Sequence, residues 1–501
     1  MIHRLAATVL LIVSAAGQAP ALRAAALEDY VAHAPFKMPA VPLPSFPDRN
    51  FSIADYGAVG DGQTVDTKAI AQAIAACVAA GGGHVVIPPG LWLTGPIELQ
   101  SNVDLHTERG ALVQFTPDHT AYPMVVHGDR GYYAESDITG VGLRNIAVTG
   151  EGIFDGAGDT WRPARKSKAT DAQWRAFLAR GGVVSNDGAD WWPTKEAMAG
   201  EDYLIALGQR TKTPTQEELL PGRDFKRSPL FFLDQCETVL LDGMTLRNSP
   251  SGLFEPTRCA NLTVRSVTLF NEWWAQNGDG MDINNCQNVL IYRCTLSTGD
   301  DAICMKANGT QHPGEDAALR NVIVAECTVY HGHGGFVVGG TTDAGMRNLW
   351  ATHCDFVGTD TGIRVKSGLG HGGLVHDVTM DHIYMRDIVN DAIIFDTHYD
   401  NTPVSASTLK APLPRDPAKT PEFHDVLVSE VYCLGAGTAI SITGLPDHPI
   451  NRVKFENVAI TAKRGFHASQ AKDIVLKGVK ITTPESPAVT QKDTSNIQFV
   501  N

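Results

Sequence analysis

Residues 257–265 and 284–292 read Thr-Arg-Cys-Ala-Asn-Leu-Thr-Val-Arg and Asn-Asn-Cys-Gln-Asn-Val-Leu-Ile-Tyr. Each places a cysteine two residues before an Asn and follows it with short, β-branched, aliphatic sequence. The same polar-to-aliphatic step recurs at Asn102, Asn145, Thr238, Asn321, Asn348, Asp377, Asp425, Asp473 and Asn496. Successive steps from Thr238 to Asp377 are 23, 27, 33, 27 and 29 residues apart. That is the period of stacked supersecondary units, each unable to bury its apolar face alone. Short β-branched runs set between Gly and Asn turns, with almost no helical periodicity, select strands as the unit. The expected fold is all-β: a right-handed parallel β-helix in which each coil supplies three or four strands and Asn side chains stack between coils.

A solenoid needs its ends covered, because open strand edges pair with other chains. Asp66 reads as the N-cap of a helix over 67–80, stopped by Gly81-Gly82-Gly83, with Ile70, Ile74, Cys77 and Val78 on one face. This helix is expected to cap the first coil. Two stretches break the repeat: 157–226, carrying Trp161, Trp174, Trp191 and Trp192, and the Pro-rich 400–422. Insertions of this length are expected as surface loops that either wall a cleft or cover a flank. The chain is thus expected to comprise a leader, 1–26, and one β-helix domain, 27–501.

That leader has His3 and Arg4 ahead of the apolar run Leu5–Ala16, then Ala24-Ala25-Ala26 as a small-residue cleavage site. The run is too short to cross a bilayer, so the expectation is export from a bacterial cytoplasm to the periplasm or medium, with no membrane partner. The formal charge of −14 argues against nucleic acid. Nine cysteines, an odd number, recur at like places in successive repeats. They read as stacked buried thiols, with one or two disulfides open to an exported protein. None has the paired spacing of a structural zinc site. The run Asn277–Asp282 looks like a calcium loop but puts Met281 at a ligand position and lacks the later bidentate Glu. Neither a metal nor a cofactor is expected, and a β-helix of this size suggests a monomer.

Between 277 and 366 the chain carries, in order, Asn277-Gly278-Asp279, Gly299-Asp300-Asp301, Gly332-His333-Gly334 and Arg364-Val365-Lys366. Paired carboxyls can divide glycoside hydrolysis, one protonating the leaving oxygen while another activates water. A guanidinium and an ammonium two residues apart on a strand share a face and can grip a sugar carboxylate. The 21 residues from Asp279 to Asp300 approximate one coil, which would stack the two about 5 Å apart. Adjacent Asp300 and Asp301 can share a cleft only if the chain bends there, and Gly299 would allow it. Crowding three carboxylates leaves one holding a proton near neutrality.

The ordered motifs, with Tyr399 downstream, resemble the polygalacturonases of glycoside hydrolase family 28, from about residue 50 onward. The family pattern has Thr where Gly278 stands and Ile where Val365 stands. The resemblance implies an inverting hydrolase of α-1,4-galacturonosyl bonds in polygalacturonate or its oligomers. It makes Asp300 the general acid, Asp279 and Asp301 the bases holding water, and His333 the support of the acid. An inverting pair should stand roughly 6.5–9.5 Å apart. Arg364, Lys366 and Tyr399 would bind substrate, Asn277 and Asp282 would orient Asp279 or reach a hydroxyl, and His331 lies out of phase. Trp273 and Trp274 could form a sugar platform or belong to the core. The long insertion points to exo action. Three other readings stay open: a galacturonidase acting on rhamnogalacturonan fragments, a calcium-dependent pectate lyase, and a carbohydrate-binding β-helix without activity.

Overall fold

The computed structural model describes residues 26–126, 131–310, 316–399 and 419–500. The expected leader lies outside them apart from Ala26, as does most of the 400–422 insertion. The chain is a parallel β-helix, its strands forming sheets of 24 and 12. One coil shows the plan: Met281–Asn284, Gln287–Tyr292 and Thr295–Ser297 form its three sides. Each pairs in parallel with its counterpart one coil later, Met281 with Ile303, Val289 with Val322 and Thr295 with Thr328. Toward the C-terminus two sides fuse into long strands such as Met346–Val357 and Leu374–Arg386.

The repeated polar residue marks a backbone corner. All eleven positions, from Asn102 (φ 65°) to Asn496 (φ 53°), are left-handed. Asn and Asp tolerate that region because their short side chains bond locally, whereas β-branched residues resist it; Thr238 (φ 60°) is the exception. The Asn side chains then bond one another between coils. Asn288 donates to Asn261 at 3.0 Å, Asn321 to Asn288 at 2.9 Å, and Asn348 to Asn321 at 2.9 Å.

Strand alternation separates core from cleft. On the 12-stranded sheet Phe231, Phe254, Met281, Ile303, Phe336, Ile363 and Ile393 point inward and are essentially inaccessible. Burying each contributes on the order of 1.5–3 kcal/mol. The intervening residues face outward, and of these Asp282, Lys306 and Lys366 floor the cleft. The nine cysteines are buried free thiols, and those at 236, 259 and 286 form a ladder one coil apart. Stacking, not disulfide bonding, is what the repeat spacing encoded.

The cap helix runs Thr67–Ala79, with Ile70, Ile74 and Cys77 against the first coil. Two details of its reading change. Asp66 precedes the helix, but its side chain accepts from Val59 N at 2.8 Å instead of capping the helix. Val78 is 42% exposed, since it falls at the edge of the apolar stripe.

Segment 157–226 is not a plain surface loop. It folds into helices Asp171–Ala179 and Lys195–Arg210 with a small antiparallel sheet of Ala164–Arg165, Val183–Val184 and Asp190–Trp192. Thr170, Thr194 and Thr215 cap its helices, the first and last through reciprocal boxes with Gln173 and Glu218. A further helix, Leu27–His33, lays Tyr30 against Tyr292, Ile323 and Trp350 on the outside of the coils.

Candidate active site

The motif residues converge because each sits at the entrance to, or on the outer face of, a strand in the 12-stranded sheet. Asp279 precedes Met281–Asn284, Asp300 and Asp301 precede Ile303–Lys306, and His333 precedes Phe336–Val338. Counting back two residues from the Met281–Ile303 pair places Asp279 beside Asp301, not Asp300. Likewise the Ile303–Phe336 pair puts Asp300 beside His333. The coil is 22 residues long on this side, one more than the Asp279–Asp300 interval. Gly299 serves close approach: a Cβ there would lie 2.3 Å from Ala275 O and 2.7 Å from Glu272 O. Gly278 has a similar reason to depart from the family's Thr, because a Cβ would meet Ala275 Cβ at 2.9 Å.

Asp301 is 2% exposed and held by two cations. Lys366 Nζ reaches Oδ2 at 2.6 Å and Arg364 Nη1 reaches Oδ1 at 3.3 Å. The expected gripping pair thus already holds a protein carboxylate. Burial disfavours the Lys366 charge, but Asp301, Cys304 and Tyr399 together outweigh it and raise the ammonium above its ordinary value. Tyr399 lies across this pair, 4.5 Å from Lys366 Nζ and 5.5 Å from the Arg364 guanidinium carbon.

Asp300 Oδ1 receives two hydrogen bonds, from His333 Nδ1 at 2.8 Å and from the backbone N–H of Asp301 at 3.0 Å. Burial pushes this carboxyl up, yet hydrogen bonding from His333, with Lys366 and Lys168 beyond, brings it down to about 2. Asp279 behaves oppositely. Burial, then Asp282, Asp300 and Asp301, drive it well above the ordinary range despite Lys306 at 3.6 Å. Burial, more than the crowding of carboxylates, is thus what favours the neutral form at Asp279. Lys306 Nζ also meets Asp282 at 2.6 Å. Asn277 accepts from Arg227 Nη2 at 3.0 Å, and His331 turns its Nδ1 to Thr298 O at 2.8 Å.

Four residues escaped the sequence reading. Lys306 had a signal, since Ile303-Cys304-Met305-Lys306 carries its lysine at the phase of Lys366 in Ile363-Arg364-Val365-Lys366. Arg227, Asp360 and Lys168 had none. Lys168, on a 3-10 turn of the insertion, brings Nζ to 2.7 Å from His333 Nε2, and Asp360 Oδ2 stands 3.7 Å from the same nitrogen. Arg227 is buried and bonds three neutral oxygens, Pro250 O, Gln276 O and Asn277 Oδ1. Loss of water lowers it to about 10. Trp274 packs edge-on to Phe177 of the insertion at 4.8 Å, so it belongs to the core option, while Trp273 stays exposed.

The cleft has a volume of about 590 Å³. Asp279, Asp300, Asp301, Lys306, Lys366 and Tyr399 line it, together with Glu201, Phe225, Lys226 and Arg227 from the insertion and its exit. Asp300, Asp301 and His333 do offer three ligand atoms within 4.8 Å of one another. Lys366 and Arg364 already hold Asp301 and Lys168 holds His333 Nε2, however, and a divalent ion there would meet three cations. The donor set does not fit a metal.

A β-helix whose cleft floor presents clustered carboxylates on successive coils holds the groups that glycoside cleavage requires. The chain belongs to glycosyl hydrolases family 28, whose model matches residues 217–479; a second match, to rhamnogalacturonase A/epimerase, pectate lyase-like proteins, covers 50–111. It is therefore a glycoside hydrolase. It is 28% identical over 409 residues to an exo-poly-alpha-D-galacturonosidase of Dickeya chrysanthemi, covering 78% of this chain and 64% of that protein. The exopolygalacturonase of Thermotoga maritima shares the fold with a TM-score of 0.69 at 23% identity, over 93% of this chain and 95% of that one. The family 28 exopolygalacturonase of Yersinia enterocolitica superposes with a TM-score of 0.70 at 22% identity, over 90% and 78%.

Proposed function

We propose that the chain is an exported, exo-acting hydrolase of α-1,4-galacturonosyl bonds that works by inversion. One observation carries this reading: the three carboxylates open into a cleft whose wall, supplied by the insertion and its exit, adds Lys226 and Arg227. With a net charge of −14, the protein has no long-range pull on a polyanion, so the attraction must be local. Arg227, buried among neutral oxygens, suits a uronate carboxylate, since an unpaired guanidinium gains most from a charged acceptor. We take this wall to close one end of the cleft, which would favour a chain terminus over an internal segment.

In the reaction Asp300 gives its proton to the glycosidic oxygen while water held by Asp279 and Asp301 attacks the opposite face of the sugar. His333 bonds Asp300 Oδ1, leaving Oδ2 to carry the proton toward the leaving group. Burial favours a neutral Asp279 in the unliganded protein, while His333 and the nearby lysines favour an ionised Asp300. A uronate entering beside Asp300 adds a negative charge and excludes water, and both raise a carboxyl. Substrate thereby moves the proton from Asp279 to Asp300. Arg364 and Lys366 act first as holders of Asp301, and their remaining donors, with Tyr399, meet the sugar.

Mass spectrometry of a polygalacturonate digest, without added metal, tests the proposal. Saturated monomer or dimer from the first time point is expected. Products lighter by one water would mean elimination and would overturn the acid and base roles of Asp300, Asp279 and Asp301. A ladder of saturated oligomers would overturn the exo mode alone, and turnover only on rhamnogalacturonan fragments would overturn the substrate.

A further inference from the structure

We propose that Lys168, from the insertion, is a positioning residue that fixes His333 as the Nδ1–H tautomer and so decides which oxygen of Asp300 can carry the catalytic proton. The inference rests on the hydrolase reading for its kinetic consequence, though not for its geometry. An ammonium has three donors and no acceptor. With Nζ 2.7 Å from His333 Nε2, that nitrogen must present its lone pair. The ring proton is then on Nδ1, which donates to Asp300 Oδ1 at 2.8 Å. The other tautomer would turn a lone pair on Asp300 Oδ1, and the carboxyl could keep that contact only by placing its proton there, away from the substrate.

The competitor for Nε2 is Asp360, whose Oδ2 lies 3.7 Å away and would accept from an Nε2–H. Lys168 stands against it, tethered also to Gly299 O at 3.4 Å. The lysine is half-buried, and burial lowers it from its ordinary value while Asp300, Asp360 and Asp279 draw it back up and Arg165 opposes them. Its placement is built in. Ala164, four residues earlier, bridges Ala275 in the loop that leads to Asp279. Lys166 N donates to Ala189 O at 2.8 Å, and Phe177 packs on Trp274. The insertion is thus pinned to the loop before the first carboxylate and to the imidazole beside the second.

The test is the long-range proton–nitrogen spectrum of 15N-histidine-labelled protein, with His333 assigned by comparison with His333→Gln. The wild type should show Nε2 as a bare acceptor nitrogen, and Lys168→Met should show it protonated. On oligogalacturonate, Lys168→Met should lower kcat roughly 10- to 100-fold and leave KM nearly unchanged. Asp360→Ala in the Lys168→Met background should recover part of the loss by removing the competing acceptor. An unchanged tautomer in Lys168→Met would overturn the inference. So would a raised KM with kcat intact, which would make Lys168 a substrate ligand, or failure of the second substitution to restore turnover. A wild type inactive on oligogalacturonate would count against the substrate reading, while the spectrum would still decide the role of Lys168.

Discussion

The coil stack and the 157–226 insertion meet at His333, and they were built on different terms. On the coil side, positions follow from register: Asp279 beside Asp301, Asp300 beside His333, and Lys306 and Lys366 at matching phases of their strands. On the insertion side, position follows from a few anchors. Arg162 is fully buried with Glu272 at 2.8 Å and Asn248 at 3.0 Å, Trp161 stacks on His119 at 3.5 Å, and Phe177 meets Trp274. In the proposed function the coil supplies the groups for bond cleavage. The insertion adds Lys226 to the cleft lining and sets Lys168 against His333, and its proposed part is to set where along a polymer cleavage occurs and how the imidazole is held. A repeat constrains chemistry because every coil must present the same phase, whereas an insertion can vary independently.

The largest expected effect is on the coil side. Asp300→Asn should lower kcat by roughly 10³-fold, the scale of a lost general acid, with the circular-dichroism melt of the fold retained. Near-normal turnover would remove Asp300 from its role. Lys366→Met should come next, leaving Asp301 buried beside Arg364 alone. Loss of one partner of a buried pair costs about 3 kcal/mol, to be read from urea unfolding together with reduced activity. Unchanged stability would mean that Arg364 suffices to hold Asp301.

Arg227→Gln tests the wall. KM for oligogalacturonate should rise about tenfold, equivalent to about 1.4 kcal/mol, with kcat little changed. Equal effects on neutral and acidic oligosaccharides would contradict a uronate contact. The smallest effects concern pH. Asp279 is raised in the fold, so its ionisation opposes folding as pH climbs above the unfolded carboxyl range. Asp279→Asn should therefore melt slightly higher than wild type at neutral pH, with the difference fading below about pH 4, while turnover is lost. Asp300 has the opposite sign. Its stabilisation, about 2 kcal/mol for a carboxyl brought down to about 2, is present above the unfolded value and lost as pH falls toward 2.

The fold was legible because the same residue type answers the same backbone demand on every coil. Asn or Asp at a left-handed corner, followed by alternating aliphatics, leaves a periodic trace that survives variable loops. The site was legible for a related reason, since its motifs sit at strand entrances and keep their order. The pairing of Asp279 was off by one residue because the coil length on that sheet cannot be read from motif spacing alone. The insertion was harder. Helix Lys195–Arg210 buries only Ala197, Gly200 and Leu207, and helix Asp171–Ala179 buries only Phe177, so neither shows a strong apolar stripe. Thr170 with Gln173 and Thr215 with Glu218 were the readable signs of helix starts. Nothing in the sequence joins Lys168 to His333, 165 residues later, because the contact depends on how the insertion docks.

The most direct test of this division of labour is to follow specific viscosity and new reducing ends together during polygalacturonate hydrolysis. If the coil cleaves and the insertion admits only a chain end, reducing ends accumulate while viscosity falls slowly. A collapse of viscosity before reducing ends appear would show cleavage within chains and would contradict the insertion's role as the wall that closes the cleft.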